Sequence, residues 1–421
     1  MNAETANYFL HGFFIKKKEG SIAAKLLLIS FDALGSDALD EMMTRPVFRR
    51  FVENGTIFRD VVGSFVSNTY PIHASIATGK PPRDHGIISN TRIDPGNPKP
   101  RWRYDSRELR AKTIWQAAKE KGLRTAAVLW PVTAFSKDIA YNVPESAAGM
   151  GENQVLLNLR AGSKWTQLKA LLRHGKILRG VRQPNLDRFS TLTMLDIIRE
   201  DRPDLMLLHL TVYDSACHAC GLGSPEASAA MDELDRHLGM LLDAITPDTR
   251  VIIFSDHSQL PVSRCFDPNT ILAELGFADR NEDGSLMNAR AFFLNADGNA
   301  VFFNRSLSDD EIAAVESRLH DADVAERKLT EAELETAGFT AERLATLAEA
   351  ETLDASVVFG LAAKVGVYFS IDKTHRATHG YPLDYEAYRV FYAISEKNYR
   401  FEPKNILDVT KIVCHESGLT L

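Results

Sequence analysis

The sequence predicts an α/β fold: a doubly wound, mainly parallel central sheet with helices on both faces and a smaller inserted cap. Two observations carry this. Apolar, β-branched runs without polar alternation recur, as strands buried on both faces require: LLLIS at 26–30, TAAVLW at 125–130, LMLLHLTV at 205–212 and VIIFS at 251–255. Helical patterns lie between them, KTIWQAAKEKG at 112–122 and a run around 187–200. Strands alternating with helices wind right-handed crossovers onto one sheet. VGVYFS at 365–370 and VFYAIS at 390–395 read as returns to that sheet.

The other elements follow in chain order. Residues 1–24 read as a surface-packed arm, in which Lys16, Lys17 and Lys18 follow a short apolar patch. A secretory signal has its charge first, so a cytoplasmic location is expected. No run approaches the length of a membrane span. Residues 150–185 are basic and helical, with Trp165, Leu168, Leu171 and Leu172 on one face. Residues 266–365 read as a cap inserted between the core segments 25–265 and 366–421. The cap holds a hairpin, AFFLNADGNAVFF at 291–303, turning at Asp297-Gly298, and acidic helices around 309–350.

The 421 residues carry a net charge of −7, with 45% hydrophobic and 25% charged residues, a globular profile. This balance argues against stable nucleic-acid binding, which needs a basic face. A small phosphate-ester or nucleotide-like substrate remains compatible, because a metal site makes a local positive field. Four cysteines are too sparse for a disulfide framework.

Three predicted strands run into an aspartate: Asp32, Asp214 and Asp256. Ligands of open α/β sheets bind beyond the carboxyl ends of the strands, so three carboxylates would gather at one edge. Buried together they repel, and a cation relieves that repulsion. His257 follows Asp256, and His218 lies four residues after Asp214, on the same helical face. His379, in RATHGYP, is a further candidate. Mixed Asp and His ligands suit zinc, with manganese or iron as alternatives, and six are enough for two ions. The plain alternative is that each Asp caps a helix or turn and each His packs.

In FVSNTYPIHASIATGKPPRDHGIISN at 65–90, an apolar stretch reaches Thr69 and Pro71 opens a helical pattern. Thr69 is then either a nucleophile at a helix N-terminus, where an anion is favoured, or, like Asn68, simply the cap.

Together these residues resemble the alkaline phosphatase superfamily, and within it the nucleotide pyrophosphatase/phosphodiesterase branch. The nucleophile block reads Thr69-Tyr70-Pro71, His73, Ser75, Thr78-Gly79, Pro81-Pro82, His85-Gly86-Ile87 and Asn90; the metal motifs follow in matching order. The resemblance implies one zinc held by Asp214, His218 and His379 and another by Asp32, Asp256 and His257, with Thr69 beside the second. It implies attack by Thr69, a phosphothreonine intermediate, and donation by Asn90 and the Tyr70 N–H to a phosphoryl oxygen. Tyr70 and His209 are the expected substrate contacts; His209 stands where relatives carry a base-sandwiching Tyr, and Ser258 replaces the usual Gly after Asp256-His257. Rivals on the same scaffold are a phosphonoacetate-type hydrolase, which needs cations such as Lys80 or Arg92 near the metals, a phosphomonoesterase, and a sulfatase, against which Thr69 argues. A non-catalytic binding protein is the rival of another class.

Overall fold

The computed structural model describes residues 25–149, 153–180, 182–385 and 388–421. The expected arm at 1–24 lies outside them. In chain order the main strands are β1 (Lys25–Phe31), β2 (Thr56–Val61), β3 (Thr125–Val128), β4 (Tyr141–Val143), β5 (Leu205–Leu210) and β6 (Thr249–Phe254). Then come β7 (Ala291–Ala296), β8 (Asn299–Asn304), β9 (Ala325–Lys328), β10 (Ser356–Ala363) and β11 (Val390–Ile394). A seven-stranded sheet runs β2-β11-β6-β1-β5-β3-β4. The pairs from β6 to β4 are parallel, while β11 is antiparallel to both β6 and β2.

The apolar runs explain the layering. Successive residues of β1 point to opposite faces. Leu27, Ile29 and Phe31 pack with α5 (Asn185–Glu200) and α7 (Pro225–Ala244), and Leu26 and Leu28 pack on the other side with α1 (Thr69–Thr78) and α2 (Ile114–Glu120). Each such side chain contributes roughly 1.5–3 kcal/mol on burial. The helices start where the local chemistry allows it: α2 begins on a capping box of Thr113 and Gln116.

Register places the site. Ile29 of β1 lies opposite Leu208 of β5 and Ile253 of β6. The three strands therefore end at one level, and Asp32, Asp256 and the start of α6 (Val212–Cys220) emerge together.

Two expectations need correction. The run at 205–212 is strand only to Leu210; Asp214 sits in the first turn of α6, not at the strand's end. Residues 365–370 do not rejoin the central sheet. Val367–Phe369 pairs instead with Arg264–Phe266 in a small parallel ladder, because β11 already fills the position beside β6.

Residues 291–363 build a four-stranded antiparallel sheet, β7-β8-β10-β9, and the hairpin turns at Asp297-Gly298 as expected. Its core also takes in Phe65, Ile88, Ile93 and Tyr381 from outside that segment. The acidic helices α8 (Asp309–Ala322) and α9 (Glu331–Ala337) each open on a capping box. The basic stretch forms α3 (Gln154–Ala161) and α4 (Lys164–His174). No helix among the described residues is long and apolar enough to cross a membrane.

Candidate metal centre and active site

Among the described residues three groups could hold a metal; one, His73, His209 and Asp256, shares Asp256 with another, and the remaining two form adjoining triads at the carboxyl edge of the sheet. Asp214, His218 and His379 form one, and Asp32, Asp256 and His257 the other; within each, one ligand atom per residue lies within 4.8 Å of the others. The His257 and His379 ring centroids are 4.2 Å apart, so the triads adjoin. In the first, His218 Nε2 lies 3.2 Å from Asp214 Oδ1 across one helical turn. In the second, His257 Nε2 lies 3.4 Å from both Asp32 Oδ1 and Asp256 Oδ2.

Outer contacts fix the rings. His218 Nδ1 donates to the Ala377 carbonyl at 2.8 Å and His257 Nδ1 to the Ser258 carbonyl at 3.3 Å. A carbonyl only accepts, so in both rings Nε2 is left for a metal. Gln259 Nε2 donates to Asp214 Oδ1 at 2.6 Å, and the Ala33 N–H to Asp256 Oδ1 at 3.1 Å.

The centre fits divalent cations on two grounds. Asp32 Oδ1 and Asp256 Oδ2 are buried yet have no hydrogen-bond donor among the described residues. Burial, reinforced by the carboxylates of Asp256 and Asp214, also pushes the Asp32 carboxyl well above the ordinary range. Burial alone would lower His257, but Asp256, Asp32 and Asp214 outweigh it and raise it. A cation would supply the missing partner and remove the repulsion.

Thr69 opens α1, with Oγ1 3.2 Å from His257 Nε2. Neither Asn68 nor Thr69 makes a side-chain capping bond. Asn68 Nδ2 instead donates to Asp297 Oδ2 at 2.6 Å. The Tyr70 N–H donates to Asn90 Oδ1 at 3.0 Å, which orients the Asn90 amide and leaves its Nδ2 as the outward donor. The Tyr70 N–H, expected as a donor to a phosphoryl oxygen, here holds Asn90.

Two expected substrate contacts also differ. His209 is fully buried. Its Nε2 lies 3.0 Å from Asp32 Oδ2 and its Nδ1 3.0 Å from Glu145 Oε2. Burial lowers His209, but Asp32 and Glu145 outweigh it and raise it well above its usual value. His209 thus faces Asp32 and Glu145 from inside the wall. Tyr70 is 1% exposed, bonds Glu145 through its hydroxyl, and packs on Trp102 at 5.2 Å. Trp102, 36% exposed, presents the outer aromatic face.

Asp297, Glu145, Gln259 and Trp102 were not read from the sequence as site residues. Asp297 comes from the β7–β8 turn and lies 3.5 Å from His379 Nδ1. The same turn grips the His379 loop: the Gly298 N–H donates to His379 O at 2.8 Å, and Asn299 Nδ2 to Gly380 O at 2.7 Å. Gly380 has φ +77°, and a Cβ there would lie 2.5 Å from Ala296 O, so glycine is required twice over. A strong turn dipeptide opposite a His-Gly loop is the only signal the sequence offered.

The family model for type I phosphodiesterase / nucleotide pyrophosphatase matches residues 26–381. The chain belongs to that family.

Among relatives, an uncharacterized pyrophosphatase/phosphodiesterase of Schizosaccharomyces pombe is 28% identical over 255 residues, covering 56% of this chain and 45% of its own. Human ectonucleotide pyrophosphatase/phosphodiesterase family member 1 is 25% identical over 222 residues, covering 50% and 21%. The alignments thus span under half the length of these relatives. Among solved structures, murine ectonucleotide pyrophosphatase/phosphodiesterase 5, inactive and in complex with AMP, superposes with a TM-score of 0.61 at 19% identity, covering 94% of this chain and 95% of that one. Phosphonoacetate hydrolase from Sinorhizobium meliloti, in complex with phosphonoformate, gives 0.65 at 17% identity, covering 96% and 100%. The nucleotide pyrophosphatase/phosphodiesterase fold, of the alkaline-phosphatase-like class, is thereby shared with both.

Proposed function

We propose that this chain hydrolyses phosphodiester or pyrophosphate bonds with two bound divalent cations, zinc foremost, and Thr69 as nucleophile. The observation that supports the reading is that the two ligand triads adjoin through His257 and His379, with Thr69 Oγ1, on the first residue of a buried helix, 3.2 Å from His257 Nε2. Asp214, His218 and His379 would hold one ion and Asp32, Asp256 and His257 the other. The ions would stabilise charge on the attacking and leaving oxygens and acidify water. Thr69 Oγ1 would lose its proton and attack phosphorus in line, the bond to the leaving oxygen would break, and water would then hydrolyse the resulting phosphothreonine, releasing the phosphoryl product and restoring Thr69. Asn90 Nδ2, oriented by the Tyr70 N–H, would donate to a non-bridging oxygen as its charge develops. The α1 N-terminus adds a favourable field for the same anion. His209 and Glu145 would hold Asp32, and Asp297 would hold His379 and Asn68. Residues 266–365 would form a cap whose turn completes the centre.

A cavity of about 340 Å³ adjoins the centre through Asp297, lined by Arg92, Asp94, Asp267, Asn269, Asn295 and Tyr368 among others. Arg92 is paired with Glu108 at 2.6 Å, and the nearby Arg280 with Asp267 at 2.9 Å. Lys80 lies beyond the opposite end of α1 from Thr69. Among the described residues the cavity therefore offers no unpaired cation for a carboxylate, which favours an ester over a phosphonoacetate substrate. A nucleotide is the leading candidate, since murine ectonucleotide pyrophosphatase/phosphodiesterase 5 was solved with AMP. Stacking of a base on Trp102 would contribute about 1–3 kcal/mol.

The test is kcat/KM of zinc-loaded protein for bis-p-nitrophenyl phosphate against p-nitrophenyl phosphate. A diester preference of about tenfold or more, worth about 1.4 kcal/mol of transition-state binding, is expected. A monoester preference would defeat the diesterase reading.

A further inference from the structure

The α3–α4 hairpin carries chemistry that the metal centre does not use. Residues 153–186 contain seven Lys and Arg and no Asp or Glu, in a chain of net charge −7. All seven basic side chains are exposed. Lys169 and Arg173 are tied to α5 through Glu200 and Asp196, at 3.4 and 3.0 Å. Arg160, Lys164, Lys176 and Arg182 have no acidic partner among the described residues.

The apolar side chains of the hairpin are equally exposed. On α4, Gln167 and Ala170 form the buried face. Trp165 and Leu172 are each 77% exposed, and Leu168 40%. Positions 165, 168 and 172 follow the i, i+3, i+7 spacing of one helical stripe. Leu171 flanks it, and Val155 and Leu156 of α3 are more than half exposed. Among the described residues, six of the thirteen exposed large hydrophobic side chains thus fall within 18 residues of sequence, whereas the others are scattered. An apolar stripe rimmed by cations marks an interaction surface rather than ordinary surface.

We infer that this hairpin docks on an anionic lipid bilayer. Trp165, Leu168 and Leu172 would enter the headgroup–acyl boundary, and the surrounding Lys and Arg would meet anionic headgroups. The composition selects among occupants. A second copy of the face would set its seven cations against seven more. A nucleic acid would match the cations but leave the Leu side chains in water. On its inner side α3 packs Leu157 and Ala161 into the cluster that holds Tyr70 and Tyr104. Docking would therefore set the active-site wall one helix away from the lipid.

The experiment is co-sedimentation of the full chain with phosphatidylcholine vesicles, with and without phosphatidylserine, at low and high salt. Partitioning should be about tenfold or more stronger with phosphatidylserine and should weaken with salt. Replacing both Trp165→Ala and Leu172→Ala should weaken it about tenfold again. Both positions are exposed, so melting behaviour and turnover of a soluble diester should stay unchanged. No association with anionic vesicles, or association that ignores the double substitution, would overturn the inference. So would light scattering that shows a dimer dissolved by the same substitutions, or capture of a DNA duplex in place of vesicles.

Discussion

Replacing Asp297 tests whether the β7–β8 turn belongs to the metal centre. Asp297 Oδ2 accepts from Asn68 Nδ2 at 2.6 Å and faces His379 Nδ1 at 3.5 Å. A hydrogen bond to a charged group is worth about 1.5–3 kcal/mol, and loss of an outer-shell carboxylate typically lowers metal affinity about 10–100-fold. Asp297→Ala removes both contacts and leaves His379 Nδ1, at 3.3 Å, as the remaining partner of Asn68 Nδ2. Affinity of the Asp214–His218–His379 site should fall within that 10–100-fold range, with kcat/KM falling in parallel. Asp297→Asn keeps an acceptor for Asn68 but loses the charge, so it should lie between Ala and the parent. Zinc competition against a chromophoric chelator reads the affinity, and urea melts separate it from global unfolding. A folded Asp297→Ala protein whose zinc affinity and turnover match the parent would refute the reasoning.

Three further outcomes follow from the same geometry. A Cβ at Gly298 would lie 2.5 Å from the buried Tyr381 ring, so Gly298→Ala should cost about 1–3 kcal/mol of stability in urea melts and loosen the His379 loop. His209→Phe leaves Asp32 and Glu145 without their shared imidazole; metal analysis should show one of two sites weakened about 10–100-fold. Burial lifts the Asp187 carboxyl to about 6 despite bonds from Gln183 and the Val212 N–H. A folded value above the unfolded one means the native state holds the proton more tightly. That stabilisation is full below about pH 4 and is lost as pH rises through 6, on the order of 3 kcal/mol. The stability difference between parent and Asp187→Asn, measured from pH 4 to 7, should show this slope; a flat difference would contradict it.

The sheet and most of the candidate ligands were legible because they obey local rules. Runs such as VIIFS have a composition that only a doubly covered strand tolerates, and the acids at their ends follow from strand polarity. His218 was legible because a four-residue spacing becomes one face on a helix. What escaped depends on long-range pairing. Nothing local says that Val367–Phe369 pairs with Arg264–Phe266 rather than with the central sheet. Asp297 reads as a turn residue until the hairpin is folded against Asn68 and His379. Tyr70 and His209 carry aromatic rings suited to stacking, but Trp102 and Glu145 cover or engage them. A sequence shows that an aromatic is present, not which side of the wall it occupies. The hydrophobic stripe of α4 was equally visible, yet its exposure was not, because an unpartnered face and a core face have the same periodicity.

The central claim is that Thr69 forms a covalent bond to phosphorus. The most direct measurement is acid quenching of metal-loaded protein during turnover of a phosphodiester, followed by peptide mass spectrometry. The account predicts a phosphorylated peptide with the modification on Thr69, absent in Thr69→Ala, which should also lose turnover. Phosphate on another residue, or undiminished turnover by Thr69→Ala, would contradict it.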